Sequence, residues 1–175
     1  MKTSQILRFA ATGLLGAGLW WSARPVRAQE ALCARVVIEI QQEMTLERQA
    51  FDAHMKINNG AASRLDNVDV EVIFQDAQGE PVLGTSNPQS TNAAFYIRVD
   101  SMQNISDVSG NGTVEPATAA DIHWLIIPSP GAGGQEPAGQ LYYVGATLKY
   151  TINGEESVTE VTPDHILVKP MPMLA

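Results

Sequence analysis

The chain has 175 residues, 45% of them hydrophobic, and carries 11 Lys and Arg against 19 Asp and Glu, a formal net charge of −8. That hydrophobic fraction excludes wholesale disorder, and the acidic balance works against nucleic acid and anionic lipid as partners. With a single cysteine, Cys33, no internal disulfide can form, so the fold has to be held by its core.

The N-terminus predicts an export signal. Lys2 and Arg8 lead into an apolar run from Phe9 to Trp21, and a polar stretch ending Val26-Arg27-Ala28 follows. The run spans 13 residues, short of the roughly 20 that a membrane-spanning helix needs, so no membrane insertion is expected after cleavage. Small residues at Val26 and Ala28 place the cut between Ala28 and Gln29; an uncleaved N-terminal anchor is the other reading. Leu32 stands directly before Cys33, where a lipid-anchor site would need a small residue. Removing residues 1–28 takes away four basic residues and no acidic one, leaving a net charge of −12 on the mature chain. The expected organisation is a signal peptide over 1–28, one domain over 29–170 and a tail or the start of a linker over 171–175.

From residue 34 onward every second side chain tends to be apolar, the pattern of half-buried strands. Val36, Ile38 and Ile40 alternate with Arg35, Glu39 and Gln41. Phe51, Ala53, Met55 and Ile57 alternate with Asp52, His54, Lys56 and Asn58, although helical spacing also runs through residues 44–57 and a helical turn at 44–47 fits. Val68, Val70, Val72 and Phe74 form the cleanest run, and Asp76-Ala77-Gln78-Gly79 then turns the chain into a short return strand at Pro81 to Leu83. Phe95, Ile97 and Val99 alternate with Tyr96, Arg98 and Asp100. Ile122 to Ile127 is apolar except for His123, which predicts a central strand covered on both faces. Tyr142 to Ile152 alternates up to Asn153-Gly154, a dipeptide suited to a tight hairpin; Val158 to Val161 returns from it, and Ile166 and Val168 close the domain. Alternation sets Tyr142 inward and Tyr143 outward. Ser86 to Asn92, Ser106 to Gly112 and Pro128 to Gly139 read as loops.

Seven to nine strands with no long helix predict an all-β fold, an antiparallel β-sandwich of immunoglobulin-like type, with a closed barrel as the alternative. The run Ala53-His54-Met55-Lys56-Ile57-Asn58-Asn59-Gly60 and the segment Leu65-Asp66-Asn67-Val68-Asp69-Val70 resemble the immunoglobulin-like modules of bacterial secreted and cell-surface proteins, of the CARDB-like adhesion type. Leu148 to Gly154 and Val161 to Pro170 resemble the closing hairpin and outgoing linker of such a module. The resemblance implies a non-catalytic structural or adhesive role in an extracellular, cell-surface or periplasmic assembly. It also implies a protein partner, self-association through edge strands included, and carries no catalytic residue over.

Little in the sequence points to chemistry. His54, His123 and His165 lie too far apart in the chain for the spacings of H-E-x-x-H or H-x-H metal sites, and each reads as structural or solvated. No G-x-S-x-G elbow marks a nucleophile. The paired acids Asp69 with Glu71 and Glu155 with Glu156 read as solvated charge. Asp107 and Asn111, in Asp107-Val108-Ser109-Gly110-Asn111-Gly112, are the calcium candidates, without the EF-hand pattern. No catalytic residue and no cofactor are expected. A ligand-binding module for carbohydrate or calcium is the second reading, and an exported hydrolase the third.

Overall fold

The computed structural model describes residues 34–172. The expected signal peptide, its cleavage point at Ala28 and Gln29, and Cys33 lie outside the described residues.

Among the described residues eleven strands form two facing sheets. In chain order they are β1 (Ala34–Glu39), β2 (Met44–Leu46), β3 (Phe51–Asn59), β4 (Leu65–Asp76), β5 (Pro81–Val82), β6 (Gly84–Thr85), β7 (Phe95–Gln103), β8 (Ser109–Val114), β9 (Thr118–Pro128), β10 (Gln140–Ile152) and β11 (Glu155–Lys169). The first sheet runs β1-β3-β9-β7-β6 and the second β2-β11-β10-β4-β5, with β8 also paired to β4. All pairings are antiparallel except β2 with β11 and β6 with β7. The all-β sandwich expected from the alternation is what the chain forms.

Alternation decides which side chains meet between the sheets. Phe51, Ala53, Met55 and Ile57 of β3 share one buried core with Val144, Ala146 and Leu148 of β10. Aromatic contacts fasten the layers: Phe74 of the second sheet stacks on Phe95 of the first at 4.6 Å, and Tyr142 meets Phe95 edge-on at 4.9 Å. Each such pair adds roughly 0.5–1.5 kcal/mol beyond the area it buries. A second tie is polar, where the backbone N–H of Ile40 donates to Asp164 of β11 over 2.8 Å.

Four local expectations are corrected. Residues 44–46 are a strand, β2, because the backbone around it bonds to Leu167 and Lys169 of β11, partners that a lone helical turn lacks. Ser109 to Val114, read as loop over its first residues from its glycines, is β8; Gly112 lies so close to the Asp107 carbonyl that a side chain there would collide with it. The closing segment is one long strand, β11, rather than two, with Pro163 seated where the register slips between Val144 and Ala146 of the partner strand. A bulge at a sheet edge is where proline is tolerated. Finally, β9 is not covered on both faces: Ala120, Ile122, Trp124 and Ile126 are buried, while Asp121, His123, Leu125 and Ile127 lie half-buried on the outer face.

Candidate functional site

The outer face of the first sheet gathers most of the chemistry. Strands β3 and β9 pair so that His54 stands opposite His123, Asp52 opposite Leu125 and Lys56 opposite Asp121. On an antiparallel pair the directly opposed side chains touch and the diagonal ones come within reach of long side chains. Both relations are used. The two imidazoles stack with centroids 4.5 Å apart and planes 8° from parallel. Along the diagonals, His123 Nδ1 lies 2.9 and 3.0 Å from the two carboxylate oxygens of Asp52, and His54 Nε2 lies 2.8 Å from Asp121 Oδ1. His123 Nε2 is 3.2 Å from the same Asp121 oxygen.

The electrostatics follow from who can donate. A carboxylate only accepts, so the Asp52 contact fixes the proton of His123 on Nδ1 and leaves Nε2 free to turn toward Asp121. The 2.8 Å contact of His54 with Asp121 has the length of an ion pair, yet the ring N–H direction misses the oxygen, and both atoms are buried without a hydrogen-bond partner. The misalignment weakens the contact, since a hydrogen bond with poor angle forfeits most of its energy.

Farther along the same face the character changes. Tyr96, Ile97 and Arg98 of β7, Leu125 and Ile127 of β9, and Pro88 line an open hollow of about 490 Å³. Beside it β7 has an open edge. Its short partner β6 pairs only with Phe95 and Tyr96, so among the described residues nothing pairs with Ile97 to Gln103 on that side. Val99 on this edge is 39% exposed.

The positions singled out by sequence fall elsewhere. Asp107 and Asn111 share one turn, in which the Asp107 carboxylate accepts the backbone N–H groups of Ser109 and Asn111 and the Ser109 hydroxyl. These donors lower its pKa below the usual carboxylate value, Ser109's backbone N–H most of all. His165 lies apart from the other histidines, on β11 beside Asp164. Tyr142 is inward and Tyr143 outward, as expected, so they form no continuous aromatic platform. The pairing of His54 with His123 is invisible to motif spacing, because 69 positions of chain separate two residues that the strand register makes neighbours. The only sequence signal is that both stand on the outward side of their alternation.

No protein-family model matches the chain, and no curated protein matches it in sequence. Solved structures are similar only distantly. A family 123 glycoside hydrolase from Clostridium perfringens is 14% identical with a TM-score of 0.44, over 78% of this chain and 27% of that one. The GAE domain of GGA2p from Saccharomyces cerevisiae is 12% identical with a TM-score of 0.40, over 72% and 83%. The periplasmic chaperone SfaE is 12% identical with a TM-score of 0.39, over 79% and 59%. This chain thus spans about a quarter of the hydrolase's length. Likeness at this level carries no information on function.

Proposed function

We propose that the chain is a non-catalytic module of an exported, extracytoplasmic assembly, and that it makes protein contacts through the open edge of β7. The observation that carries this reading is that edge itself, unpaired from Ile97 to Gln103 among the described residues and flanked by the apolar hollow under Tyr96, Leu125 and Ile127. An unpaired edge offers a row of backbone donors and acceptors to an added strand, while neighbouring pockets take its side chains.

Charge separates this edge from that of β11. Among the described residues strand β11 is unpaired on its outer side before Leu167, and Val158 there is 64% exposed, but Glu155, Glu156 and Glu160 line it. A second copy arriving there would meet like charge. On β7, a two-fold pairing centred on Val99 sets Arg98 of one copy against Asp100 of the other, an attractive cross-strand pair. The register slip between Val99 and Ser101 shortens the regular stretch, so the contact is weak and a second copy the first partner to test.

Sedimentation velocity at two protein concentrations, with and without calcium, tests the reading. Reversible association that rises with concentration, ignores calcium and disappears in Val99→Lys is the expected result. A strict monomer throughout, or association that Val99→Lys leaves intact, counts against the β7 edge.

A further inference from the structure

We propose that His54, Asp121 and His123 form a binding site for one divalent transition-metal ion of the zinc or copper class, on the outer face of β3 and β9. This goes beyond the contact role of the β7 edge and does not depend on it. One ligand atom from each of the three residues lies within 4.8 Å of the other two, and the donor set of two imidazole nitrogens and one carboxylate oxygen suits zinc or copper rather than calcium or magnesium.

The geometry of the three side chains favours a cation at this spot. His123 Nδ1 is engaged by Asp52, which turns its Nε2 toward Asp121 Oδ1, 3.2 Å away. His54 Nε2 reaches the same oxygen at 2.8 Å without a donating geometry, and neither atom makes a hydrogen bond. Three potential ligand atoms thus converge, and two of them are buried without a hydrogen bond. Polar atoms left in that state are costly unless something positive sits between them. Asp52 completes a familiar arrangement in which a carboxylate orients the non-ligating nitrogen of a metal-bound histidine. Glu39 stands opposite His54 on β1 and adds negative charge to the face; Lys56, opposite Asp121, is the cation that opposes it.

The rigidity of the strands positions the ligands, but the side chains must give slightly. Two ligands about 2.0–2.2 Å from a tetrahedral ion are about 3.3 Å apart, so the 2.8 Å contact has to open by a few tenths of an ångström. The stacked rings also have to tilt so that both lone pairs meet at one point. Metal uptake is therefore expected to break the histidine stack. The alternative is that His123 serves only as a structural bridge between the carboxylates of Asp52 and Asp121, which leaves no room for metal.

Calorimetric titration of the purified full chain with zinc alone, and then with copper alone, decides between them. One ion per chain is expected to bind, with binding lost in His54→Ala and in Asp121→Asn, weakened roughly 10- to 100-fold in Asp52→Asn, and unchanged in His165→Ala. Histidine ring-nitrogen NMR on the unsubstituted protein provides a readout that needs no variant to fold: zinc should shift Nε2 of both His54 and His123. Absence of binding by either ion, binding that survives His54→Ala, or ring signals that zinc leaves in place would each overturn the site.

Discussion

Two glycine-containing loops at different places in the sandwich are tied down by the same device, a single carboxylate accepting backbone N–H groups. In the loop from Ser129 to Gly139, Glu47 reaches across from the turn after β2, and its Oε1 accepts the N–H groups of Gly131 and Gly133 at 2.9 and 2.8 Å. In the turn that opens β8, Asp107 accepts from Ser109 and Asn111. Glu47 is buried and ties positions 84 and 86 residues away, whereas Asp107 ties its immediate neighbours in an exposed turn. The first bond set closes the sandwich; the second shapes a turn that water could also solvate. Burial and sequence distance, not the number of hydrogen bonds, set what such a carboxylate is worth.

The sharpest way to break this contrast is at Glu47. Two hydrogen bonds to a charged acceptor are each worth about 1.5–3 kcal/mol, so Glu47→Ala should cost about 3–6 kcal/mol in urea denaturation. Glu47→Gln keeps an oxygen where both N–H groups already point and should recover more than half of that loss. Equal losses for Ala and Gln would mean that the negative charge, and not the acceptor geometry, holds the loop. A smaller effect is expected at Gly133, where a side chain would overlap the backbone of Lys169 and Pro170. Gly133→Ala should cost about 1–3 kcal/mol, the range for overpacking at a tight contact. An unchanged midpoint would show that the loop moves freely against the end of β11, contrary to the Glu47 anchor. Tyr142 belongs to the same assembly, since its hydroxyl donates to the Ala132 carbonyl, and burial, with Asp76 and Glu47 nearby, raises its pKa.

The sheets are legible in the sequence because alternation at period two is a direct record of which side of a strand is buried, and β3, β4, β7 and β10 all carry it clearly. What escapes is whatever depends on a partner strand. Strand β8 has glycines at positions 110 and 112 and owes its conformation to β4, and β2 exists only beside β11. The histidine pair escapes for the same reason: alternation puts His54 and His123 on the outward side of their strands, but only the β3–β9 register makes them neighbours. The Glu47 anchor is equally hidden, as nothing local to that residue announces that a loop 84 residues later needs an acceptor. Hairpins, by contrast, are local, and Asn153 and Gly154 both take the positive φ, 52° and 84°, that their dipeptide promises.

The smallest effect belongs to Asp107, and pH is the way to see it. Its folded-state pKa lies below the usual 3.8, the backbone N–H of Ser109 being the main cause, followed by the Ser109 hydroxyl. A carboxyl whose pKa is depressed on folding stabilises the native state at pH above its unfolded value, and that contribution fades as pH falls through the folded value. An amide side chain cannot ionise, so Asp107→Asn removes the effect altogether. The stability difference between the wild-type chain and this variant should be present at neutral pH and shrink below pH 3.8, with every other acid titrating equally in both chains. A gap that stays constant across that range would assign the turn's stability to its backbone shape instead. Because the group is exposed, added salt should also narrow the gap at neutral pH, a sensitivity the buried Glu47 bonds should not share.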